Sequence, residues 1–202
     1  MQSFIQTILD LIFPPKKEEL FLRKISIDDF GNKVSKSGNT EFPFIKAIFS
    51  YKDPLVRELI WQIKYKKNKN CLRIAAYHLN KLVEEKYRDF TLIPIPISKT
   101  RRKERGYNQS ELIIQEIQNI NPAIKTDFDS LVKVLDVEKQ TFKNRNERIK
   151  NTSRIFKVSE KVDFANVLII DDVTTTGSTL KEAREVLLQA GCKEVLALTI
   201  AH

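Results

Sequence analysis

The chain contains little cysteine, glycine or proline. Its 202 residues include 2 Cys, 5 Gly and 7 Pro. The low Gly and Pro content excludes collagen-like and Gly/Pro-rich low-complexity classes. Cys71 and Cys192 lie far apart and no C-x-x-C pair exists, which excludes a disulfide framework and a zinc knuckle and predicts two ordinary, partly buried thiols. With 42% apolar and 30% charged residues, the chain is predicted to form one globular domain with a real core.

Long hydrophobic runs are also absent. Residues 1–13 place Phe4, Ile5 and Ile8 at helical spacing, but this segment is too short to span a bilayer, lacks a basic region and contains Asp10. The sequence therefore predicts no membrane span and a cytoplasmic protein. Its N-terminal helix is expected to dock on the domain or on a partner, which makes it a candidate interface for a homo-oligomer.

Positive charge is in excess. The chain has 35 Lys and Arg against 26 Asp and Glu, a formal net charge of +9. The excess is concentrated in residues 61–73, 99–109 and 139–157, and the rest of the chain is net acidic. A concentrated excess predicts a polyanionic ligand, either nucleic acid or a phosphorylated small molecule.

Hydrophobic periodicity predicts an α/β fold. A continuous apolar run at 166–170, an amphipathic helix at 179–190 and a second apolar run at 195–200 form a strand-helix-strand unit, which is typical of a parallel sheet covered on both faces. Ligands of such sheets bind beyond the carboxyl ends of the strands. Further elements are predicted as strands at 45–51 and 91–97, helices starting at Pro54 and covering 74–83 and 110–120, and a loop or ribbon at 30–42.

An unusual group of polar residues follows the first apolar run. Asp171 and Asp172 are suited to bind a sugar diol, directly or through Mg2+. The turn after them is rich in hydroxyl groups and leads into a helix, so its amides and hydroxyls are suited to cradle a phosphate. The residues of this turn are Thr174, Thr175, Thr176, Gly177, Ser178 and Thr179. Walker A and dinucleotide-binding patterns are absent here. Two alternatives fit the turn less well. A phosphoacceptor site of the receiver-domain type lacks such a run of hydroxyl residues, and a turn that only caps the helix needs one hydroxyl.

Residues 167–180, VLIIDDVTTTGSTL, resemble the phosphoribosyl diphosphate (PRPP) binding motif of the type I phosphoribosyltransferases. Other segments narrow the resemblance to the ComF-like proteins, a family named for a role in bacterial competence for DNA uptake. These segments are Tyr51, LIWQIKY at 59–65, Ile95-Pro96 followed by RRKERGYNQ at 101–109, and Lys139-Gln140-Thr141 with Arg148, Asn151 and Phe156. The resemblance covers roughly residues 45 to 202.

The resemblance implies the type I phosphoribosyltransferase fold, a parallel β-sheet flanked by helices. It places a small helix and ribbon extension at 1–44 and the phosphoribosyltransferase domain at 45–202. It also implies an enzyme that displaces pyrophosphate from PRPP with Mg2+ as cofactor. Asp171 and Asp172 would hold the ribose diol and the metal, and residues 174–179 the 5′-phosphate. Pyrophosphate would bind to Arg101, Arg102, Arg105, Gly106, Asn108 and Gln109, and a flexible hood would include Lys139, Gln140, Thr141, Arg148 and Asn151.

Several features leave alternatives open. No residue stands out as a general base, and the two histidines, His78 and His202, are expected to have no catalytic role. The four-cysteine zinc module of ComF-like proteins is replaced by a segment that starts Lys16-Lys17, so no zinc is expected and a short ribbon is predicted instead. A second hypothesis is a non-catalytic competence factor that binds single-stranded DNA. Its candidate contacts are Lys64, Lys66 and Lys67, with Tyr65 and Tyr107 stacking on bases.

Overall fold

The structure is a computed structural model that describes residues 15–38, 40–134, 155–159 and 162–202. Its strands are β1 (Ile45–Phe49), β2 (Thr91–Pro94), β3 (Leu131–Lys133), β4 (Phe156–Val158), β5 (Asn166–Val173) and β6 (Glu194–Ala201). Its helices are α1 (Lys17–Lys24), α2 (Ile27–Lys33), α3 (Pro54–Trp61), α4 (Lys69–Lys86), α5 (Lys99–Arg105), α6 (Gln109–Ile120) and α7 (Ser178–Gln189). A π-helical turn, Gln62–Lys66, continues α3.

Four parallel strands form the central sheet in the order β1-β6-β5-β2. Strands β5 and β6 occupy its middle, in register from Asn166 opposite Glu194 to Val173 opposite Ala201. Both are covered on two faces, which explains their continuous apolar runs. The predicted α/β architecture and the β5-α7-β6 unit are confirmed. Because all four strands are parallel, their carboxyl ends share one edge, where the candidate site lies.

Each face of the sheet has its own hydrophobic core. On one face Phe49, Leu168 and Ile200 pack with the helices α1 to α4 and α6. On the other face Ile93 and Ile169 pack with α7 and with the antiparallel ribbon β3-β4. Helix α7 is thereby held on the sheet along its length, and this fixes the position of its N-terminus.

Helices α1 and α2 lie in the segment after Lys16 for which a short ribbon is predicted, whereas only residues 30–33 of the predicted loop or ribbon at 30–42 are helical. Leu22 and Phe30 are buried in the same core as β1, and the ring of Phe30 meets that of Phe49 edge-on at 5.5 Å. Ser26 caps α2 by accepting a hydrogen bond from the amide of Asp29. The only ribbon-like feature described there is an isolated antiparallel bridge between Lys36 and Phe49. The domain boundary at residue 44 stays a prediction.

Two predicted segments lie outside the described residues. One is the N-terminal helix at 1–13 with its candidate interface, and the other is the hood residues Lys139, Gln140, Thr141, Arg148 and Asn151. The ends that flank the hood are held together, because β3 pairs with β4 and the amide of Val134 donates to the carbonyl of Ile155 at 2.8 Å. None of the described helices is long and apolar enough to cross a membrane.

Candidate functional site

The paired aspartates lie inside strand β5 rather than after it. Asp171 pairs with Thr199 of β6, so the strand continues through both carboxylates to Val173. Oδ1 of Asp171 accepts hydrogen bonds from the amide of Asp172 at 2.8 Å and from Oγ of Ser110 at 3.2 Å. Ser110 belongs to α6 and is fully buried, and it is a site residue that the sequence did not predict.

The environment of the pair favours a bound cation. Burial, and next the negative charge of Asp172, raise the pKa of Asp171 to about 8. Asp172 is 2% exposed, and its Oδ2 is a buried oxygen that accepts no hydrogen bond. Its neighbour is the ammonium group of Lys64, with Nζ 3.2 Å from Oδ2. A buried carboxylate of this kind needs a positive partner, and Lys64 supplies one.

A π-helical turn brings Lys64 to this position. The turn ends at Lys67, which has a left-handed backbone with φ of 49°. Such turns insert one residue into a helix and change the direction of its side chains, and they are frequent at functional sites. Tyr107 fixes the turn from the side by donating its hydroxyl to the carbonyl of Ile63 at 2.9 Å. The predicted DNA-contact residue Lys64 thus lies at the aspartate pair.

The turn between β5 and α7 has the shape of an anion cradle. Gly177 is left-handed, with φ of 72°, and is the N-cap of α7. The first amides of α7 lack intrahelical acceptors, as in any helix, and they point out of its N-terminus. Hydroxyl groups line the turn, and Oγ1 of Thr176 lies 2.9 Å from Oγ of Ser178. Thr174 differs from the rest, since it is buried and its amide donates to the carbonyl of Ala201.

The predicted pyrophosphate loop contains the short helix α5. Ser98 caps this helix by accepting from the amide of Arg101, and Gly106 ends it with φ of 77°. Arg102 donates to Oε1 of Glu111 at 2.6 Å on the surface. Arg105 donates to Oε1 of Gln109 at 3.1 Å, and its guanidinium lies 5.3 Å from the ring centroid of Tyr65.

The side chain of Asn108 makes three hydrogen bonds, of which the longest runs from Nδ2 to Oε1 of Glu111 at 3.4 Å. Its Oδ1 caps α6 by accepting from the amide of Ser110, and its Nδ2 donates to the carbonyl of Ile95 at 3.0 Å. It is 1% exposed and ties the end of β2 to the start of α6. Asn108 therefore holds Ser110, and through it Asp171, in place.

Five chain segments meet at this edge of the sheet. The amide of Tyr51, after β1, donates to the carbonyl of His202, and the ring of His202 contacts the carbonyl of Thr175 at 3.1 Å. Lys64 and Ser110 reach the aspartates from the helices. Within the described ranges no three His, Cys, Asp or Glu residues cluster as a metal site. A metal here would therefore be bound by the aspartate pair together with oxygens of a ligand.

Part of the chain is similar in sequence to known proteins. The model of the phosphoribosyl transferase domain matches residues 97–202. Competence protein ComFC of Bacillus subtilis is 28% identical over 150 residues, which cover 72% of this chain and 58% of that protein. ComFC of Streptococcus pneumoniae is 26% identical over 78% of this chain and 67% of its own length. Competence protein F of Haemophilus influenzae is 30% identical over 55% of this chain and 49% of its own length.

The matches span between about half and two thirds of the length of these relatives. Among solved structures, a hypoxanthine phosphoribosyltransferase from Staphylococcus aureus is 17% identical with a TM-score of 0.36, covering 63% of this chain and 61% of that one. At this TM-score the likeness has no weight for fold or function. The family model, in contrast, matches just over half of the chain. The chain therefore belongs to the phosphoribosyl transferase domain family, and within it resembles the ComF-like competence proteins.

Proposed function

We propose that this chain binds PRPP with Mg2+ and transfers the phosphoribosyl group to an acceptor, in association with DNA uptake. One observation carries the proposal: two carboxylates lie among the last three residues of a buried parallel strand, and the left-handed turn at the N-terminus of α7 follows directly. A diol-binding group and a phosphate-binding group are thus separated by one short turn, as a ribose 5-phosphate requires.

Asp171 and Asp172 are assigned to the ribose diol and the metal. The buried Oδ2 of Asp172 accepts no hydrogen bond and has a cation, the Lys64 ammonium, as its neighbour, so this oxygen suits a cation. Mg2+ is commonly bound through one or two carboxylates together with the phosphates of the substrate, so the pair suffices without a third acid. When bound, Mg2+ would neutralise charge on the departing pyrophosphate. The residues of the turn, 174–179, are assigned to the 5′-phosphate. There the buried Thr174 supports the turn, and the exposed hydroxyls and the first amides of α7 contact the ligand.

Pyrophosphate is assigned to the segment with Arg101, Arg102 and Arg105, and to Gly106, Asn108 and Gln109. The contact of Arg102 with Glu111 is an exposed ion pair, a kind that contributes at most about 1 kcal/mol. Arg102 can therefore exchange Glu111 for a diphosphate, to which a guanidinium binds with two parallel hydrogen bonds. Asn108 acts as a positioning residue, because its side-chain amide group caps α6 and donates to the carbonyl of Ile95, which follows β2.

Calorimetry tests the proposal. Saturable binding of PRPP in the presence of Mg2+ is expected, and Asp171→Asn with Asp172→Asn should abolish it. The matched control is Asp89→Asn with Asp163→Asn, which removes two carboxylates that line a different cleft, near the start of β5. This control should bind PRPP as the unmodified chain does. Undiminished binding in the Asp171 and Asp172 variant would contradict the site assignment.

A second candidate function is binding of single-stranded DNA. It is favoured by the exposed rings of Trp61 and Tyr65. The ammonium of Lys66 lies 5.6 Å from the ring centroid of Trp61, and the guanidinium of Arg105 lies 5.3 Å from that of Tyr65. Rings of this kind, set among cations, stack on bases in a sequence-tolerant way. The slope of log affinity against log salt distinguishes this function, because each phosphate contact adds roughly −0.7 to the slope for a single strand. A slope near zero for a thymidine oligonucleotide would exclude it.

A further inference from the structure

The ion pair between Lys64 and Asp172 has a geometry that favours exchange of its cation. Nζ of Lys64 lies 3.2 Å from Oδ2 of Asp172. Although the two atoms are this close, Oδ2 accepts no hydrogen bond, so the ammonium group neutralises the carboxylate by its charge and not through a directed N–H. An ion pair without a hydrogen bond is weaker than one that has it. Another cation can therefore replace Lys64 at this oxygen.

The two partners differ in their freedom to move. The side chain of Asp172 is 4% exposed and belongs to the central strand β5, whereas that of Lys64 is 23% exposed. Lysine carries its charge on a flexible four-carbon stem, and its ammonium group is strongly hydrated. When a second cation approaches Oδ2, Lys64 is thus the partner that leaves.

Lys64 borders on the segment to which pyrophosphate is assigned. Tyr107 of that segment donates its hydroxyl to the carbonyl of Ile63, the residue before Lys64, at 2.9 Å. On the other side of Lys64, the ring of Tyr65 lies 5.3 Å from the guanidinium of Arg105. A diphosphate bound to this segment would bring anionic oxygens towards Lys64, and an ammonium group binds phosphate as a point charge. The ligand therefore offers Lys64 a new partner.

A metal ion gains less at this site without the ligand. Mg2+ is usually bound by one or two carboxylates together with the phosphates of a substrate. Without PRPP, the ammonium group of Lys64 would leave Asp172 for no new anion, and separating a buried ion pair is unfavourable. With PRPP, the phosphates receive Lys64 and also bind the metal. Metal and PRPP are therefore expected to increase each other's affinity by the same factor.

We propose that Lys64 occupies the cation position at Asp172 and keeps Mg2+ out of it until PRPP is bound. The dependence on PRPP rests on the proposed function, whereas the competition between Lys64 and a metal ion does not. Mn2+ is the probe for this competition, because it prefers the same oxygen ligands as Mg2+. The free Mn2+ ion in water gives an electron paramagnetic resonance signal that decreases on binding, so the readout needs no enzymatic activity.

Mn2+ alone should bind weakly to the unmodified chain and about tenfold more tightly to Lys64→Met, because a competing charged partner is removed. Lys64→Gln, which is also uncharged, should change the affinity in the same direction. Lys64→Arg keeps the charge and should bind Mn2+ as weakly as the unmodified chain. Lys69→Met, at the exposed start of α4, is the matched control and should leave the affinity unchanged.

Two further measurements locate the effect at Asp172. Adding Asp172→Asn to Lys64→Met should remove the gain in Mn2+ affinity, because the carboxylate that Lys64 releases is then missing. Mn2+ should also raise the unfolding temperature of Lys64→Met more than that of the unmodified chain, since a ligand stabilises the folded state according to its affinity.

Several results would overturn the proposal. They are equal Mn2+ affinity of the unmodified chain and both uncharged variants, a gain that persists with Asp172→Asn, or the same gain in Lys69→Met. If calorimetry shows PRPP binding while the uncharged variants gain no Mn2+ affinity, the competition is refuted and the proposed function stands. If they gain Mn2+ affinity while no PRPP binding is found, the proposed function fails and with it the dependence on PRPP.

Discussion

Two glycines with nearly the same backbone conformation have very different surroundings. Gly177 and Gly106 have φ of 72° and 77°, in the left-handed region that other residues avoid. A Cβ on Gly177 would lie 2.7 Å from carbons of Phe42 and Ile45, whereas one on Gly106 would meet nothing within 4 Å. At the turn between β5 and α7 glycine is therefore required for its lack of volume as well as for its backbone freedom.

Gly177→Ala should lower the free energy of unfolding by about 3 kcal/mol, because steric overlap adds to the backbone strain. Gly106→Ala should lower it by about 1 kcal/mol, since only the strain applies. Urea unfolding of both variants measures the difference. Equal losses in the two would show that the contacts with Phe42 and Ile45 relax at no cost.

At the level of elements, the π-helical turn after α3 determines how the site is assembled. It directs Lys64 to Asp172 while Tyr65, its neighbour, contacts Trp61 and Arg105. Sequence periodicity predicts a helix from Pro54 but not the extra residue of the turn, because a π-helical insertion has no composition of its own. Hydrophobic periodicity does not predict helix α5 either, since all seven of its residues are polar.

Lys64→Met should lower the free energy of unfolding by about 1–3 kcal/mol, because the buried carboxylate of Asp172 loses its positive partner. Asp172→Asn in the same chain should restore part of this loss, with a coupling of about 1 kcal/mol between the two sites in a double-mutant cycle. Lys66→Met is the control, since Lys66 is exposed, and it should change stability by less than about 0.5 kcal/mol. Additive effects at 64 and 172 would contradict the ion pair.

At the scale of the whole molecule, the tertiary structure brings two of the three basic segments together. The segments 61–73 and 99–109 meet at the carboxyl edge of the sheet through the Tyr107 hydroxyl and the stacking of Arg105 on Tyr65. Most of segment 139–157 lies outside the described residues. Two of the three stretches therefore adjoin the candidate site. The phosphorylated ligand proposed for that site would account for their positive charge without a nucleic acid.

The histidine His78 joins the N-terminal helices to the rest of the core. Its Nε2 contacts the carbonyl of Ile27 at 3.1 Å, and its ring packs against Phe30 and Phe49. Burial lowers the pKa of His78 below its ordinary value of 6.5, and the charges of Lys36 and Lys81 lower it further. That His78 has no catalytic role stays a prediction.

Stability should therefore decrease as the pH falls below about 6.5, because the unfolded chain then binds a proton that the folded chain resists. This loss of stability is absent above the pKa that His78 has in the unfolded chain. It grows as the pH falls to the lower pKa that His78 has in the folded chain. His78→Gln keeps a donor for Ile27 and cannot titrate, so its free energy of unfolding should fall less steeply between about pH 7 and pH 5. Urea unfolding at several pH values measures the slopes, and identical slopes would rule out this role for His78.

The amino-acid sequence alone determined the order of the four strands of the central sheet along the chain, the helices α3, α4, α6 and α7 between them, the parallel sheet, the motif at 171–179 and the family, because each depends on residues close together in the chain. Tertiary structure decided which distant residues meet the aspartates. Ser110 and Lys64 lie 61 positions and more from them in the chain, and they arrive through a cap at Asn108 and a π-helical turn. Such contacts follow from long-range packing, which local patterns do not encode.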